Sequence, residues 1–272
     1  MTTVATTSNV LPLRRQNVIA VASGKGGVGK TFFSITLTHA LAGLGRKALL
    51  FDGDLGLANV DIQLGLMPKR DIGQVVDGAV TLQGATTRFA DGGFDVLAGR
   101  SGSGNLANLP PAQLGQLRND LMELARSYDN VVIDLGAGVD RTVRTFAGHA
   151  GTILVVTTDE PTSITDAYAF LKLALQGNPS ADIRIVVNMA QTRAEGQKTY
   201  DTLLMACRKF LGKEPALAGI VRRDLKVREA IKTQTPLMLR SPGTDAAQDI
   251  EAIAQRIVQA QAQAQAQGPA GL

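Results

Sequence analysis

Short runs of aliphatic and β-branched residues alternate along this chain with longer stretches whose apolar positions recur every three to four residues. The short runs predict strands at Asn17–Ala22, Lys47–Phe51, Phe94–Ala98, Asn130–Asp134, Thr152–Thr157, Asp182–Asn188 and Ala216–Val221. The longer stretches predict helices at Lys30–Leu44, Pro111–Ser127, Ser163–Leu175, Glu195–Leu211, Leu225–Lys232 and Thr244–Val258. Such alternation predicts an α/β fold, a mostly parallel sheet flanked by helices on both faces. Asp91-Gly92-Gly93 reads as a tight hairpin turn, which adds one antiparallel strand near Thr87–Phe89. No internal repeat or long linker divides the pattern. The expected organisation is a flexible arm over residues 1–16, one domain over 17–258, and an Ala/Gln tail over 259–272. Alternating Ala and Gln spreads both around a helix, so the tail reads as a frayed helical extension or a disordered end.

Composition sharpens one region. Of 29 glycines, 17 fall between Gly24 and Gly104, a local demand for unusual backbone. Within it, Gly24-Lys25-Gly26-Gly27-Val28-Gly29-Lys30-Thr31 follows a predicted strand and opens a predicted helix. It matches G-x-x-x-x-G-K-[ST], which a chain of this length meets by accident with odds on the order of one in a hundred. Glycines let backbone N–H groups converge on phosphate oxygens where the helix dipole favours negative charge. Lys30 would reach the terminal phosphates, and the Thr31 hydroxyl would bind Mg²⁺.

Two acidic elements follow. Asp52 and Asp54 leave the second strand two residues apart and point the same way, toward the crevice where such sheets bind ligands. An Asp-x-Asp there can also serve as a helix cap or turn. Val131-Val132-Ile133-Asp134 is an apolar strand ending in an acid, followed by Gly136-Ala137-Gly138. This is the Walker B pattern, with Asp134 toward Mg²⁺ and the glycines sensing the last phosphate. Asn188 and Asp224 follow later strands, where either could cap a helix.

Lys25 gives the loop the form Lys-Gly-Gly-x-Gly-Lys-Thr, which resembles the deviant Walker A motif of the MinD/ParA family of P-loop ATPases. The resemblance runs from about residue 17 to 258. It implies a MinD-like P-loop fold, bound ATP and Mg²⁺, and an ATP-dependent homodimer in which Lys25 contacts the partner's nucleotide. It assigns Asp54 to the attacking water and Asp52 to the neighbourhood of Mg²⁺. Gly26, Gly27, Val28, Gly29 and Phe32 would line the phosphates, Asn188 and Asp224 the adenine, and Glu160 the ribose across the interface. A solvated loop lysine and a helix N-terminus are the alternatives for Lys25 and Glu160.

The stretches from Asp54 to Asp61, from Gly65 to Arg70 and from Asp159 to Tyr168 resemble the FlhG (FleN) branch, which regulates flagellar number and placement. That branch implies the GTPase FlhF, a flagellar transcriptional activator or C-ring components as partners. Phe32, Leu135 and Arg222 depart from the pattern, replacing a small polar residue, a Thr/Ser and a Pro. Residues 1–16 lack the glutamine-containing motif through which some FlhG proteins stimulate FlhF.

Charge and rare residues add limits. A lone Cys207 excludes an intramolecular disulfide and points to a reducing, intracellular compartment, hence the cytoplasm. His39 and His149 are too few for a histidine-rich metal site. No apolar run reaches the roughly 18 residues of a membrane span, and the arginines of residues 1–16 follow the apolar part, the reverse of a signal peptide. Ile250, Ile253, Ala254, Ile257 and Val258 form one helical stripe that either docks on the core or attaches peripherally to a membrane surface. Residues 183–232 hold eleven basic and five acidic residues. The cluster Arg222, Arg223, Lys226, Arg228 and Lys232 supports an alternative function, a ParA-type ATPase positioning cargo on nonspecific DNA, or is a solvated face.

Overall fold

The computed structural model describes residues 15–99, 106 and 108–266. The chain runs through β1 (Arg15–Ser23), α1 (Lys30–Gly43) and β2 (Ala48–Gly53), then the short helices α2 (Val60–Leu64), α3 (Ile72–Val76) and α4 (Leu82–Ala85). A hairpin of β3 (Thr87–Phe89) and β4 (Phe94–Leu97) leads to α5 (Pro111–Leu124), β5 (Asn130–Ala137), α6 (Arg141–Ala147) and β6 (Ala150–Thr157). Next come α7 (Pro161–Gly177), β7 (Asp182–Ala190), α8 (Arg193–Leu211), β8 (Ala216–Arg222), α9 (Leu225–Lys232), α10 (Leu237–Arg240) and α11 (Asp245–Ala266).

The strands form one sheet in the order β3-β4-β2-β5-β1-β6-β7-β8. All its pairs are parallel except β3 with β4. Because successive side chains of a strand point to opposite faces, each strand feeds two cores. Ile19, Val21, Leu50 and Val132 pack with α1 and α11, whereas Val18, Ala20, Leu49 and Val131 pack with α5 to α8. Strand β5 lies between β1 and β2, so the ends of three strands meet at one rim. There Asp134 is in register with Val21 on one side and with Asp52 on the other.

The expected strands and six longer helices are present, with ends shifted by a few residues. Helices α2, α3, α4, α6 and α10 are not foreshadowed, because one or two turns carry too little periodicity to read. Local capping holds two of them: Asp71 and Gln74 close a capping box on α3, and Asp140 accepts from Val143 N at the start of α6. Of the expected arm, residues 1–14 lie outside the described residues, while Arg15 and Gln16 open β1. Gly102 and Gly104 also lie outside them. Helix α11 continues into the Ala/Gln stretch as far as Ala266, and Gln261 Oε1 accepts from Asn130 Nδ2 at 3.1 Å; residues 267–272 lie outside the described residues.

Ile250, Ile253, Ala254 and Ile257 of α11 are at most 5% exposed, packed against α1 and β8. Of the two readings of this stripe, docking on the core is the one observed: its apolar face is part of the packing around the sheet. Among the described residues no helix is long and apolar enough to cross a membrane.

Candidate nucleotide site

The loop from β1 to α1 wraps the sheet rim. Gly27 and Gly29 have φ of 79° and 86°, the left-handed region that glycine adopts without strain. A Cβ on Gly29 would stand 2.5 Å from Asn188 Nδ2, so close approach as well as conformation requires glycine. The loop borders a cavity of about 670 Å³ whose lining includes Gly27, Lys30, Thr31, Asp54 and Gly136. Lys30 is 9% exposed and donates from Nζ to Ser23 Oγ at 2.9 Å, while Ser23 Oγ donates to the Lys25 carbonyl at 2.6 Å. Burial pulls the Lys30 pKa down, and the nearby Asp134 and Asp54 carboxylates oppose that shift.

Asp134 is held at the rim by β5 and is 1% exposed. Burial pushes its carboxyl up to about 6, against the hydrogen bonds of Thr31 and Ser34 and the charge of Lys30. Asp54 approaches across the cavity: a Cβ on Gly136 would come within 3.4 Å of its carboxylate. Leu57 N donates to Asp54 Oδ1 at 3.1 Å, which tethers the loop after β2.

Asp52 has a different placement. It is fully buried and does not line the cavity; Oδ2 accepts from Asn59 N at 3.0 Å and Val60 N at 3.1 Å, and Oδ1 from Asp54 N at 3.3 Å. Its carboxylate therefore organises the loop and the start of α2. Burial, with the charge of Asp134 adding to it, raises its pKa well above the usual carboxylate range.

A second cavity of about 600 Å³ adjoins the first, with Gly29, Phe32, Met189 and Ile231 common to both. Asn188 and Asp224 line it, so the structure brings both beside the loop. Asn188 Nδ2 donates to the Val28 carbonyl at 2.8 Å, leaving Oδ1 as an acceptor, and Asp224 also caps α9 through Lys226 N at 2.8 Å. Met189 keeps a φ of 59°, a left-handed conformation uncommon for a residue with a side chain. Phe32 is 8% exposed and packs into the core, in place of a polar contact.

Lys25 and Glu160 stand together outside both cavities, in a salt bridge supported by Thr162 Oγ1 at 2.8 Å from Lys25 Nζ. The lysine holds the Glu160 carboxyl below its usual pKa range. Sequence reasoning missed Ser23, Ser34 and Thr162. Ser34 was legible in principle, since residues three apart share a helix face and Thr31 was already in hand. Leu135 is buried at 1%. Arg222 spends its donors on Asp249 and Asp245 of α11.

Residues 19–237 match the CobQ/CobB/MinD/ParA nucleotide binding domain. The chain belongs to this family. Among its relatives, the antiactivator FleN of Pseudomonas aeruginosa is 38% identical over 240 residues, covering 88% of this chain and 85% of FleN. The flagellum site-determining protein YlxH of Helicobacter pylori is 30% identical over 241 residues, covering 88% and 81%. The cell division ATPase MinD of Pyrococcus furiosus has a similar fold, with a TM-score of 0.77 at 24% identity over 90% of this chain and all of that one.

A magnesium nucleotide fits this MinD/ParA-type site. Among the described residues no group of three or more His, Cys, Asp or Glu could hold a metal unaided. Mg²⁺ characteristically takes one or two carboxylates together with phosphate oxygens, and here Thr31 lines the cavity beside the glycine loop while its side chain bonds the buried Asp134.

Proposed function

We propose that this chain is a MinD-like ATPase that dimerises with ATP, hydrolyses it, and so acts as a switch on flagellar number or placement. The convergence of Lys30, Thr31 and Asp54 on one cavity, with the buried Asp134 behind them beside Thr31 and Lys30, carries the enzymatic part. The similarity to FleN and YlxH carries the flagellar part.

Each residue has a task set by its position. The glycine loop and the N-terminus of α1 bind the phosphates through backbone N–H groups. Lys30, drawn into a desolvated site, offers its ammonium to phosphate in exchange for Ser23. Thr31 and Asp134 would hold Mg²⁺, which when bound neutralises charge on the phosphates. Asp54 orients the attacking water and takes up its proton, and Gly136 permits the carboxylate to come close. Asn188 Oδ1 accepts from the amino group of adenine, with Phe32 and Asp224 on the same cavity. Asp52 braces the loop that carries Asp54.

Dimerisation would release Lys25 from Glu160 and Thr162 so that it reaches the partner's nucleotide, with Glu160 then near the partner's ribose. Leu57 and Leu225, on the walls of the two cavities, are 76% and 80% exposed, which supports a protein contact on this face. FlhF, a flagellar transcriptional activator and C-ring components are the partners this reading calls for. The DNA alternative loses ground, because Arg222 is held by Asp249 and Asp245, and Lys226 by Glu229. Arg223, Arg228 and Lys232 line the second cavity.

The test is Asp54→Ala, in vitro and in the native host. Loss of a group acting on the water should lower ATP turnover by roughly 10² to 10⁴ with ATP binding retained, and flagella per cell should change. Undiminished turnover sinks the mechanism; an unaltered flagellar count sinks the flagellar assignment.

A further inference from the structure

The hydroxyls of α1 behave in two ways. Thr36 Oγ1 donates to the Phe32 carbonyl at 2.8 Å and Thr38 Oγ1 to the Ser34 carbonyl at 2.8 Å. Both bond back by four residues, the usual local option for a hydroxyl inside a helix. Ser34 forgoes it. Its Oγ leaves the helix and donates at 2.9 Å to Asp134 Oδ1, a residue 100 positions away on β5.

Ser34 is fully buried and lines neither cavity. It touches no ligand, so any effect on the site passes through Asp134. A buried carboxylate with one oxygen tied is restrained in orientation, and hydrogen bonds behind a metal ligand commonly set that ligand's direction. Thr31 lies one turn earlier on the same helix face and is committed to the ion when the nucleotide is bound. Ser34 then remains as the hydroxyl still holding Asp134.

We propose that Ser34 is a positioning residue for Mg²⁺, keeping Asp134 turned toward the ion through the nucleotide cycle. This rests on the magnesium-nucleotide reading of the site, and the experiment separates the two. The affinity of the full chain for fluorescent N-methylanthraniloyl-ADP is titrated with Mg²⁺ and with a chelator in its place, for wild type, Ser34→Ala, Ser34→Cys and Ser34→Thr.

Removing a hydrogen bond behind a metal ligand typically lowers metal affinity 10- to 100-fold. The concentration of Mg²⁺ that half-saturates the affinity gain should therefore rise roughly tenfold or more in Ser34→Ala. Affinity without metal should stay as in wild type, which also reports an intact fold. Ser34→Cys keeps the volume but offers only a weak donor, and it should follow Ser34→Ala. Ser34→Thr keeps the hydroxyl and should remain within about twofold of wild type, inside the scatter expected of such contributions. Equal losses with and without Mg²⁺, or no change in Ser34→Ala and Ser34→Cys, overturn the assignment and leave the magnesium reading standing. A wild-type chain whose ADP affinity ignores Mg²⁺ overturns both.

Discussion

Replacing Asp249 by Ala should remove the clasp between α11 and the end of β8. The carboxylate is 2% exposed and accepts from Arg222 Nε at 2.8 Å, Arg222 Nη2 at 2.9 Å, Arg222 N at 3.1 Å and Arg193 Nη2 at 2.7 Å. Removing one partner of a buried ion pair costs about 3–5 kcal/mol. Here the stranded cations are partly relieved: the Arg193 side chain is 69% exposed, Arg222 is 21% exposed, and Arg222 retains Asp245 at 2.8 Å. The expected loss is therefore about 2–3 kcal/mol, below the fully buried range. At roughly 2–4 °C per kcal/mol for a domain of this size, melting should fall by about 4–12 °C.

The pH dependence has a definite sign. Burial pushes the Asp249 carboxyl up, but hydrogen bonds from Arg222 and the charges of Arg222 and Arg193 outweigh it and leave the carboxyl below its usual range. A depressed carboxyl stabilises the fold above its unfolded pKa, and that contribution is lost as pH falls through the folded value. Calorimetric melting of wild type and Asp249→Ala should thus show a gap that is full near neutral pH and narrows as pH falls below the ordinary carboxylate pKa of about 4 toward the lowered folded value. A gap under about 1 °C at neutral pH, where even the low end of the scaling predicts more, or one that ignores pH, would refute the reasoning. The same contacts account for Arg222 at the position where the sequence resemblance implies Pro, which could supply neither the N–H nor the guanidinium.

Gly24→Ala would place a Cβ 2.1 Å from the Asp166 carbonyl oxygen, a backbone atom inside α7. Overpacking of this kind costs about 1–3 kcal/mol or more, so the urea midpoint should drop and nucleotide affinity with it; an unchanged midpoint would count against the contact. Burial drives the Cys207 thiol up to about 11, so the native chain should resist iodoacetamide at mildly alkaline pH while the urea-unfolded chain reacts. Equal labelling of the two would show that the thiol is not sequestered.

Much of this architecture was readable because its signals are local. Strand and helix periods, the glycine loop and the acids Asp52 and Asp134 that follow two apolar runs are written within short windows, and the hairpin before Phe94 announces itself through Asp91-Gly92-Gly93. Helices α2 to α4 escaped notice because they are held by caps and tertiary contacts instead of periodicity. Asp52 shows the limit for the site. From sequence it is the twin of Asp54, two residues away on the same side, yet in the fold its oxygens accept from the backbone of the loop and α2, while Asp54 lines the cavity.

The sequence by itself determined the α/β class and the glycine loop that turns β1 into α1, since backbone conformation restricts which residues can stand there, and it nominated Lys30, Thr31, Asp54 and Asp134 for the site. Only the tertiary structure decided how distant segments share their polar groups. It committed Arg222 to Asp249, Lys25 to Glu160, and Ser34 to Asp134, and it turned the stripe of α11 into the core. Partners such as these are chosen by burial, where an unpaired charge or hydroxyl is costly, and burial follows from how the sheet and helices pack.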